Sequence, residues 1–372
     1  MINQERLLNE FLRLVQIDSE TGDERQIADT LKETFEHLGL EVVEDNSQSR
    51  TGHGAGNLVC TLKGDPAIKS LYFTSHMDTV VPGQGIKPIV SNGYVKTDGT
   101  TILGADDKAG IAAMIEAIHV IQAEKIKHGD LQFIITVGEE SSLVGAKALD
   151  HNLVTAELGY ALDSDGKVGD IVVAAPTQVR FFARVKGKTA HAGVAPEKGV
   201  SAITIASKAI SNMPLGRIDQ ETTANIGRFE GGQKTNIVCD YVEVLAEARS
   251  LDREKLDRQI HAMKAAFQQA ADQLGGEVEI EATEMYPGYR QQAGDQVVEI
   301  AKTAVKEIGR ESNLRQSGGG SDANVISSYG IPTVNLAVGY ENIHTTNEQM
   351  PISELIKITE LVIAITKQME KQ

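Results

Sequence analysis

Short apolar runs alternate with longer helical patterns along this chain of 372 residues, and no other feature limits the fold as much. The runs are Asn57–Leu62, Leu71–Ser75, Leu131–Val137, Leu158–Leu162 and Thr333–Val338. Several are separated by stretches of helical periodicity, notably Lys108–Gln122 and Gln296–Ile308. Strands joined through helices can run parallel, so the pattern predicts an α/β architecture: a mixed sheet with a mostly parallel core, flanked by helices. Two helices precede it. Residues 4–17 place Leu8, Phe11, Leu12 and Val15 on one face. A second helix runs from Glu24 to about His37, with Asp23 as its N-cap and Gly39 just past its end.

The segment from about Gln178 to Thr283 breaks this rhythm. QVRFFARVKG reads as a strand and GVSAITIASKAI as a helix. TTANIGRFEGG and NIVCDYVEVLAEARS read as two strands, followed by a long helix through LDREKLDRQIHAMKAAFQQAADQLG and a last strand, EVEIEATE. The order β-α-β-β-α-β is that of a ferredoxin-like α+β sandwich. Proline and glycine breakers mark its ends at Ala175-Pro176 and Tyr286-Pro287-Gly288. The predicted division is therefore residues 1–176 with 285–372 as one domain, and 177–284 as a second domain inserted into it.

Charge and cysteine content exclude several classes of function. The chain carries 36 basic and 52 acidic residues, a formal charge of −16. Such a surface repels phosphate backbones and anionic lipid, so neither nucleic acid nor membrane is expected as a partner. No apolar run approaches the ~18–20 residues of a membrane span. The opening MINQERLLNEFLRLV reads as an amphipathic helix and not as a signal peptide. Only Cys60 and Cys239 are present, in no CxxC pattern, which excludes a disulfide framework and a thiolate zinc site. Both lie in strand-like patterns and read as core. The expectation is a cytoplasmic protein.

Potential metal ligands follow the ends of the predicted strands. LYFTS leads into His76-Met77-Asp78, LQFIITV into Gly138-Glu139-Glu140, LGYAL into Asp163, and TVNLAV, after a short loop, into His344. A fifth group, Asp106-Asp107, opens a helix. Taken singly, each is more simply a surface pair, a solvated face or a helix cap. If the strands are parallel neighbours, all five converge on one sheet edge, where α/β proteins bind ligands. Imidazole nitrogen and carboxylate oxygen without sulfur suit Zn²⁺, with Mn²⁺ or Co²⁺ as alternatives, in a two-metal hydrolytic site. His76 and Asp78 are two apart and face the same side of an extended strand, so Asp78 is placed to accept the second ring N–H of His76.

Seven motifs occur in order: SHMDT (Ser75–Thr79), LGADDKAG (Leu103–Gly110), VGEE (Val137–Glu140), ALDSDG (Ala161–Gly166), GKTAHAG (Gly187–Gly193), GGSDAN (Gly319–Asn324) and NIHTTNE (Asn342–Glu348). Together they resemble the di-zinc exopeptidase family that includes peptidase T, carboxypeptidase G, aminoacylase and succinyl-diaminopimelate desuccinylase, and most of all its peptidase T-like branch. The resemblance covers nearly the whole chain. It implies that His76 and Asp163 bind one zinc, Glu140 and His344 the other, and Asp106 both, with Asp107 as the competing bridge. It implies that Glu139 is the general base and that Asp78 orients His76. In the inserted domain, which the resemblance makes a lid, it places His191 near the scissile carbonyl, often across a dimer interface. It places Asn236 and Arg249 among the substrate-binding residues. Gly319, Gly320 and Ser321 look like a substrate-facing loop of the catalytic domain. The pattern departs from strict peptidase T at Gly138, where that branch has Asp, and at Ala192, where it has Pro. These departures bear on tripeptide specificity and leave the metal chemistry intact. The implied activity is aminopeptidase cleavage of short peptides by a homodimer joined through the lid. The rival readings are an amidase or deacylase on N-acyl amino acids, a carboxypeptidase, and a non-catalytic metal- or peptide-binding protein.

Overall fold

A computed structural model describes residues 1–371. The chain divides into two compact units. The first comprises residues 1–174, 290–317 and 321 onward; the second comprises residues 175–289 together with 318–320. The sequence places Gly318–Gly320 with the first unit, whereas in the structure these residues belong with the second.

A mixed sheet forms the spine of the first unit. Seven of its nine strands run in the order Glu41–Glu44, Leu58–Leu62, Leu131–Thr136, Leu71–His76, Leu158–Ser164, Thr333–Ala337 and Asp170–Ala175. The middle four are mutually parallel. Leu58–Leu62 and Asp170–Ala175 pair antiparallel to them, and Glu41–Glu44 pairs antiparallel to Leu58–Leu62. Residues along Leu71–His76 and Leu131–Thr136 are buried on both faces, which is why these segments read as unbroken apolar runs and not as alternations. Parallel pairing carries the carboxyl ends of all four strands to one edge.

Aromatic side chains in register tie the strands together. Phe73 lies opposite Phe133 on one side and Tyr160 on the other. Ring centroids are 6.0 Å apart for Phe73 and Phe133 and 5.9 Å for Phe73 and Tyr160. Phe35 of the Arg25–His37 helix continues the row, 6.2 Å from Phe133. The Ala105–Glu124 helix is buried on every side over its first turns, because Ala, Gly, Ile and Met fill all its faces. The Gln4–Val15 helix buries Leu7, Phe11, Leu14 and Val15. The expected face is thus rotated: Leu8 and Leu12 are only partly buried, at the margin of the core. Asn3 caps this helix by accepting the Arg6 N–H at 3.0 Å.

The second unit is a β-α-β-β-α-β sandwich, with its antiparallel sheet in the order Thr222–Gly231, Tyr241–Ser250, Thr177–Lys186, Glu277–Tyr286. Helices Ala202–Ser211 and Arg253–Leu274 cover one face, capped by Ser201 and Asp252. Phe181 and Phe267 stack at 5.8 Å in its core. The alternating burial along Thr177–Lys186 reflects a sheet covered on one side only. Cys60 is buried as expected, but Cys239 precedes its strand and is partly exposed.

Phe133 touches an aromatic ring on either side, so Phe133→Ala removes the middle of the row. It should lower the unfolding free energy of the first unit by about 3–5 kcal/mol in urea titrations. A loss below about 1 kcal/mol would show that the row contributes little.

Candidate metal centre

The edge formed by the parallel strands gathers the predicted ligands of the first unit. His76 ends its strand and is buried. Its Nε2 lies 3.1 Å from Asp106 Oδ1 and 3.8 Å from Asp163 Oδ1. The other Asp106 oxygen, Oδ2, lies 3.2 Å from His344 Nε2, which is itself 2.8 Å from Glu140 Oε1. Asp106 therefore stands between two imidazole–carboxylate pairs, with one oxygen turned to each. Asp107 groups only with His76 and Asp163, the ligand atoms lying within 4.8 Å of one another. At Asp106 and Asp107 the first residues of the Ala105–Glu124 helix leave helical geometry.

This arrangement concentrates negative charge in a buried place. Burial and neighbouring Asp163 push the Asp107 carboxyl well above the usual aspartate range. Neither of its oxygens has a hydrogen-bond partner among the described residues. Burial, followed by the charges of Asp163, Asp322 and Glu140, pushes Glu139 well above the glutamate range, with His76 opposing. Burial alone would raise Asp106 too, but His344 and His76 outweigh it and hold that carboxyl low. Asp106 and Glu140 in turn push His344 up to about 10. Uncompensated buried carboxylates cost several kcal/mol each, so the cluster is one that cations would stabilise. Two ligand atoms on a tetrahedral zinc, each about 2.0–2.1 Å from it, are separated by about 3.3 Å. The contacts made by His76, Asp106, His344 and Glu140 lie near that value, so the donor set fits a metal of the Zn²⁺, Mn²⁺ or Co²⁺ type. A metal must displace the proton that the acids otherwise draw onto His344.

Asp78 does more than the sequence predicts. His76 Nδ1 is closest to the Asp78 main-chain carbonyl, at 2.9 Å, with the carboxylate at 3.5 Å. The carboxylate accepts the N–H groups of Glu139 at 3.0 Å and Glu140 at 3.3 Å, and the Thr21 hydroxyl at 2.7 Å. It thereby clips the Glu139-Glu140 turn to the His76 strand. Gly138, immediately before that turn, has φ of +56°, and a Cβ there would come 2.4 Å from His53 Cε1. The departure at Gly138 thus has a local cause. The His53 ring fills the space, held by Glu24 at 2.7 Å from its Nδ1.

Sequence reasoning missed several supporting residues. Asn335 accepts the Asp163 N–H at 3.0 Å, and its amide donates to the Asp163 carbonyl at 2.6 Å and to Ser321 Oγ at 3.1 Å. Tyr340 donates to Asp163 Oδ1 at 3.3 Å. Lys108 is fully buried and donates to the Ile17 carbonyl at 2.7 Å, and burial pushes it down to about 7. Asp322 is buried, accepts from Thr136, and is raised by burial to about 6. Of these, Asp322 and Lys108 sit inside quoted motifs; Thr21, Asn335 and Tyr340 carry no signal in the sequence.

The second unit holds the remaining predicted residues in two places. His191 bridges to Ile237, and the Ala192 N–H donates to the Asn236 carbonyl at 3.0 Å, so His191 and Asn236 are neighbours and both exposed. Arg249 lies near the far end of the Tyr241–Ser250 strand, on the order of 27 Å of extended chain from Tyr241. There it donates to Glu247 at 2.9 Å, to the Tyr286 hydroxyl at 3.4 Å and to the Gly318 carbonyl at 3.3 Å. Gly320 packs against the same Tyr286 ring so closely that a Cβ would come within 2.4 Å of it. In the sequence Tyr286 marks only the domain boundary. Ser321, in the first unit, caps the Asp322–Ser327 helix.

Residues 72–368 match peptidase family M20/M25/M40. This chain belongs to that family. It is 67% identical to the Bacillus subtilis protein YqjE over 371 residues, covering 100% of each chain. A crystal structure of aminopeptidase PepT from Bacillus cereus is similar at 64% identity and a TM-score of 0.96, over 99% of each chain. A tripeptidase structure from Staphylococcus aureus is similar at 52% identity and a TM-score of 0.98, over 100% of each. As an M20 chain it has a fold built around metal-dependent hydrolysis, and its ligand-like residues occupy one edge of the sheet. Among the described residues, no helix is long and apolar enough to cross a membrane.

The contacts distinguish the two adjacent aspartates. Asp106→Asn should strip most of the metal from the purified protein, whereas Asp107→Asn should retain it, as read by elemental analysis after gel filtration. The opposite pattern would transfer the central role to Asp107.

Proposed function

We propose that this chain is a metal-dependent aminopeptidase cleaving short peptides, with two Zn²⁺ ions per chain, or Mn²⁺ or Co²⁺ in their place. The observation that carries this reading is Asp106, set between His76 with Asp163 on one side and His344 with Glu140 on the other. In this reading Asp106 would help to hold both ions, and each imidazole–carboxylate pair would hold one. The similarity to an aminopeptidase and a tripeptidase supports the substrate class. Bound ions of this kind supply Lewis acidity, polarising a carbonyl and acidifying a water.

The chain's own groups do the rest. Glu139 takes a proton from the attacking water and returns it to the leaving amine as the C–N bond breaks. Asp78 keeps Glu139 and Glu140 at fixed spacing from His76 through the two N–H groups it accepts. Glu139→Gln should therefore preserve metal content and lower kcat by about 10²–10⁴-fold on di- and tripeptides. Acetylating the peptide amino terminus should abolish turnover. Undiminished cleavage of N-acetylated substrates would instead identify an amidase, deacylase or carboxypeptidase.

We propose also that the enzyme is a cytoplasmic homodimer joined through the second unit. The separation of His191 and Asn236 from Arg249 along one strand supports a division of labour. In it, Arg249, Gly320 and Ser321 bind substrate for their own chain, while His191 and Asn236 serve the partner's scissile carbonyl. Mixing inactive Glu139→Gln and His191→Ala chains under exchange conditions tests this. Mixed dimers should regain about one working site each, because one site then contains both intact residues. Activity that stays absent would assign His191 to its own chain.

A further inference from the structure

Glu348 lies four residues beyond His344 and is 2% exposed. Its carboxylate accepts three main-chain N–H groups. Oε2 takes those of Leu103 at 2.7 Å and Gly104 at 2.8 Å, and Oε1 takes that of Asp106 at 3.0 Å. Leu103 to Asp106 is the turn that delivers Asp106 to the metal centre. Helix N-termini leave their first N–H groups without intrahelical partners. Gly104 occupies the N-cap position and has no side chain with which to satisfy them. Glu348 supplies the missing acceptor from another part of the chain, at the helix end where negative charge is favourable.

The same residue is anchored to the His344 loop. The Glu348 N–H donates to the Thr345 carbonyl at 3.1 Å. Immediately afterwards, Gln349–Pro351 pairs with the Tyr94–Lys96 strand, fixing the loop's far end. His344 itself has φ of +61°, a backbone conformation the loop must hold in place. One carboxylate thus connects the turn bearing Asp106 to the loop bearing His344.

The geometry points to Glu348 as a positioning residue that sets Asp106 and His344 at the spacing two metal ions require. This inference rests on the reading of Asp106 and His344 as ligands. Glu348 is no ligand itself, because both its oxygens are committed to main-chain N–H groups. Both oxygens are also needed as acceptors. A glutamine has one acceptor oxygen and one NH₂ group. Turned one way, that NH₂ meets the Asp106 N–H; turned the other, it meets those of Leu103 and Gly104. Either orientation sets donor against donor in a buried place. Glu348→Gln, though nearly the same shape, therefore loosens the turn that carries Asp106.

The test is a Co²⁺ titration of metal-free protein, read by equilibrium dialysis and by the visible cobalt spectrum. It compares wild type with Glu348→Gln, Asp106→Asn and Glu116→Gln. Glu116 is a buried carboxylate on the same helix, about 15 Å along from Asp106, where it pairs with Arg6 at 2.6 Å. It controls for loss of any buried acid. Glu348→Gln should bind one equivalent of Co²⁺ about 10–100-fold more weakly, with an altered spectrum, and Glu116→Gln should bind as wild type does. On peptide substrate with both sites filled, kcat should fall while KM changes by less than about 3-fold. Wild-type cobalt binding by Glu348→Gln would overturn the inference. Wild-type binding by Asp106→Asn would instead overturn the ligand assignment beneath it. If the glutamine variant does not fold, Glu348→Asp decides. It keeps both acceptors one carbon short and should still weaken one equivalent at least about tenfold; unchanged binding would overturn the inference.

Discussion

Buried negative charge at the carboxyl ends of four parallel strands is the constraint on which the first unit depends. Asp78, Asp106 and Asp107 are almost wholly excluded from solvent, with Asp163, Glu139 and Glu140 beside them. Two imidazoles stand among them. A fold that buries acids in this way does so at a cost to its own stability, since each unpaired carboxylate gives up hydration worth several kcal/mol. The aromatic row of Phe35, Phe133, Phe73 and Tyr160 lies in the same sheet and supplies apolar burial that offsets part of that cost. The sheet holds the charges close together, and a metal makes the closeness favourable.

Main-chain N–H groups fix the clustered acids in place. Asp78 accepts from Glu139 and Glu140, Glu348 accepts from Leu103, Gly104 and Asp106, and Asn335 exchanges two hydrogen bonds with the main chain of Asp163. A backbone amide cannot rotate away as a side chain can, so the carboxylates that accept from it transmit the rigidity of the strands to the loops. Three of the segments that carry the clustered acids are held by hydrogen bonds to residues from distant parts of the chain. The geometry of the cluster therefore depends on acids and amides that stand behind it.

The second unit solves a different problem. It stacks its two helices on one face of an antiparallel sheet and leaves the other face to charged cross-strand pairs, such as Arg184 with Glu281 at 2.6 Å. Along one ten-residue strand it places Arg249 near one end, while His191 and Asn236 lie beyond the other. A rigid strand cannot bring its two ends to one point, so these residues lie at distinct places.

Much of this protein was legible in its sequence because the relevant signals are local. Strand and helix periods follow from side-chain alternation and apolar spacing, and they marked both the parallel core and the β-α-β-β-α-β segment. Acids and histidines near strand ends marked the cluster, since parallel strands bring their carboxyl ends together. The rotation of the first helix toward Leu7 and Leu14 was not legible, because the adjacent apolar pairs Leu7-Leu8, Phe11-Leu12 and Leu14-Val15 fit two faces equally well until a partner surface selects one. Nor was the choice between Asp106 and Asp107, adjacent and chemically identical; only the positions of His76 and His344 distinguish them. Asp78's grip on the Glu139 turn, Glu348's on the Leu103–Asp106 turn, and Tyr286 beside Arg249 and Gly320 join residues tens to hundreds of positions apart. The sequence by itself determined which groups could do the chemistry. Tertiary structure alone decided how those groups face one another, because a hydrogen bond between distant segments leaves no periodic trace in either.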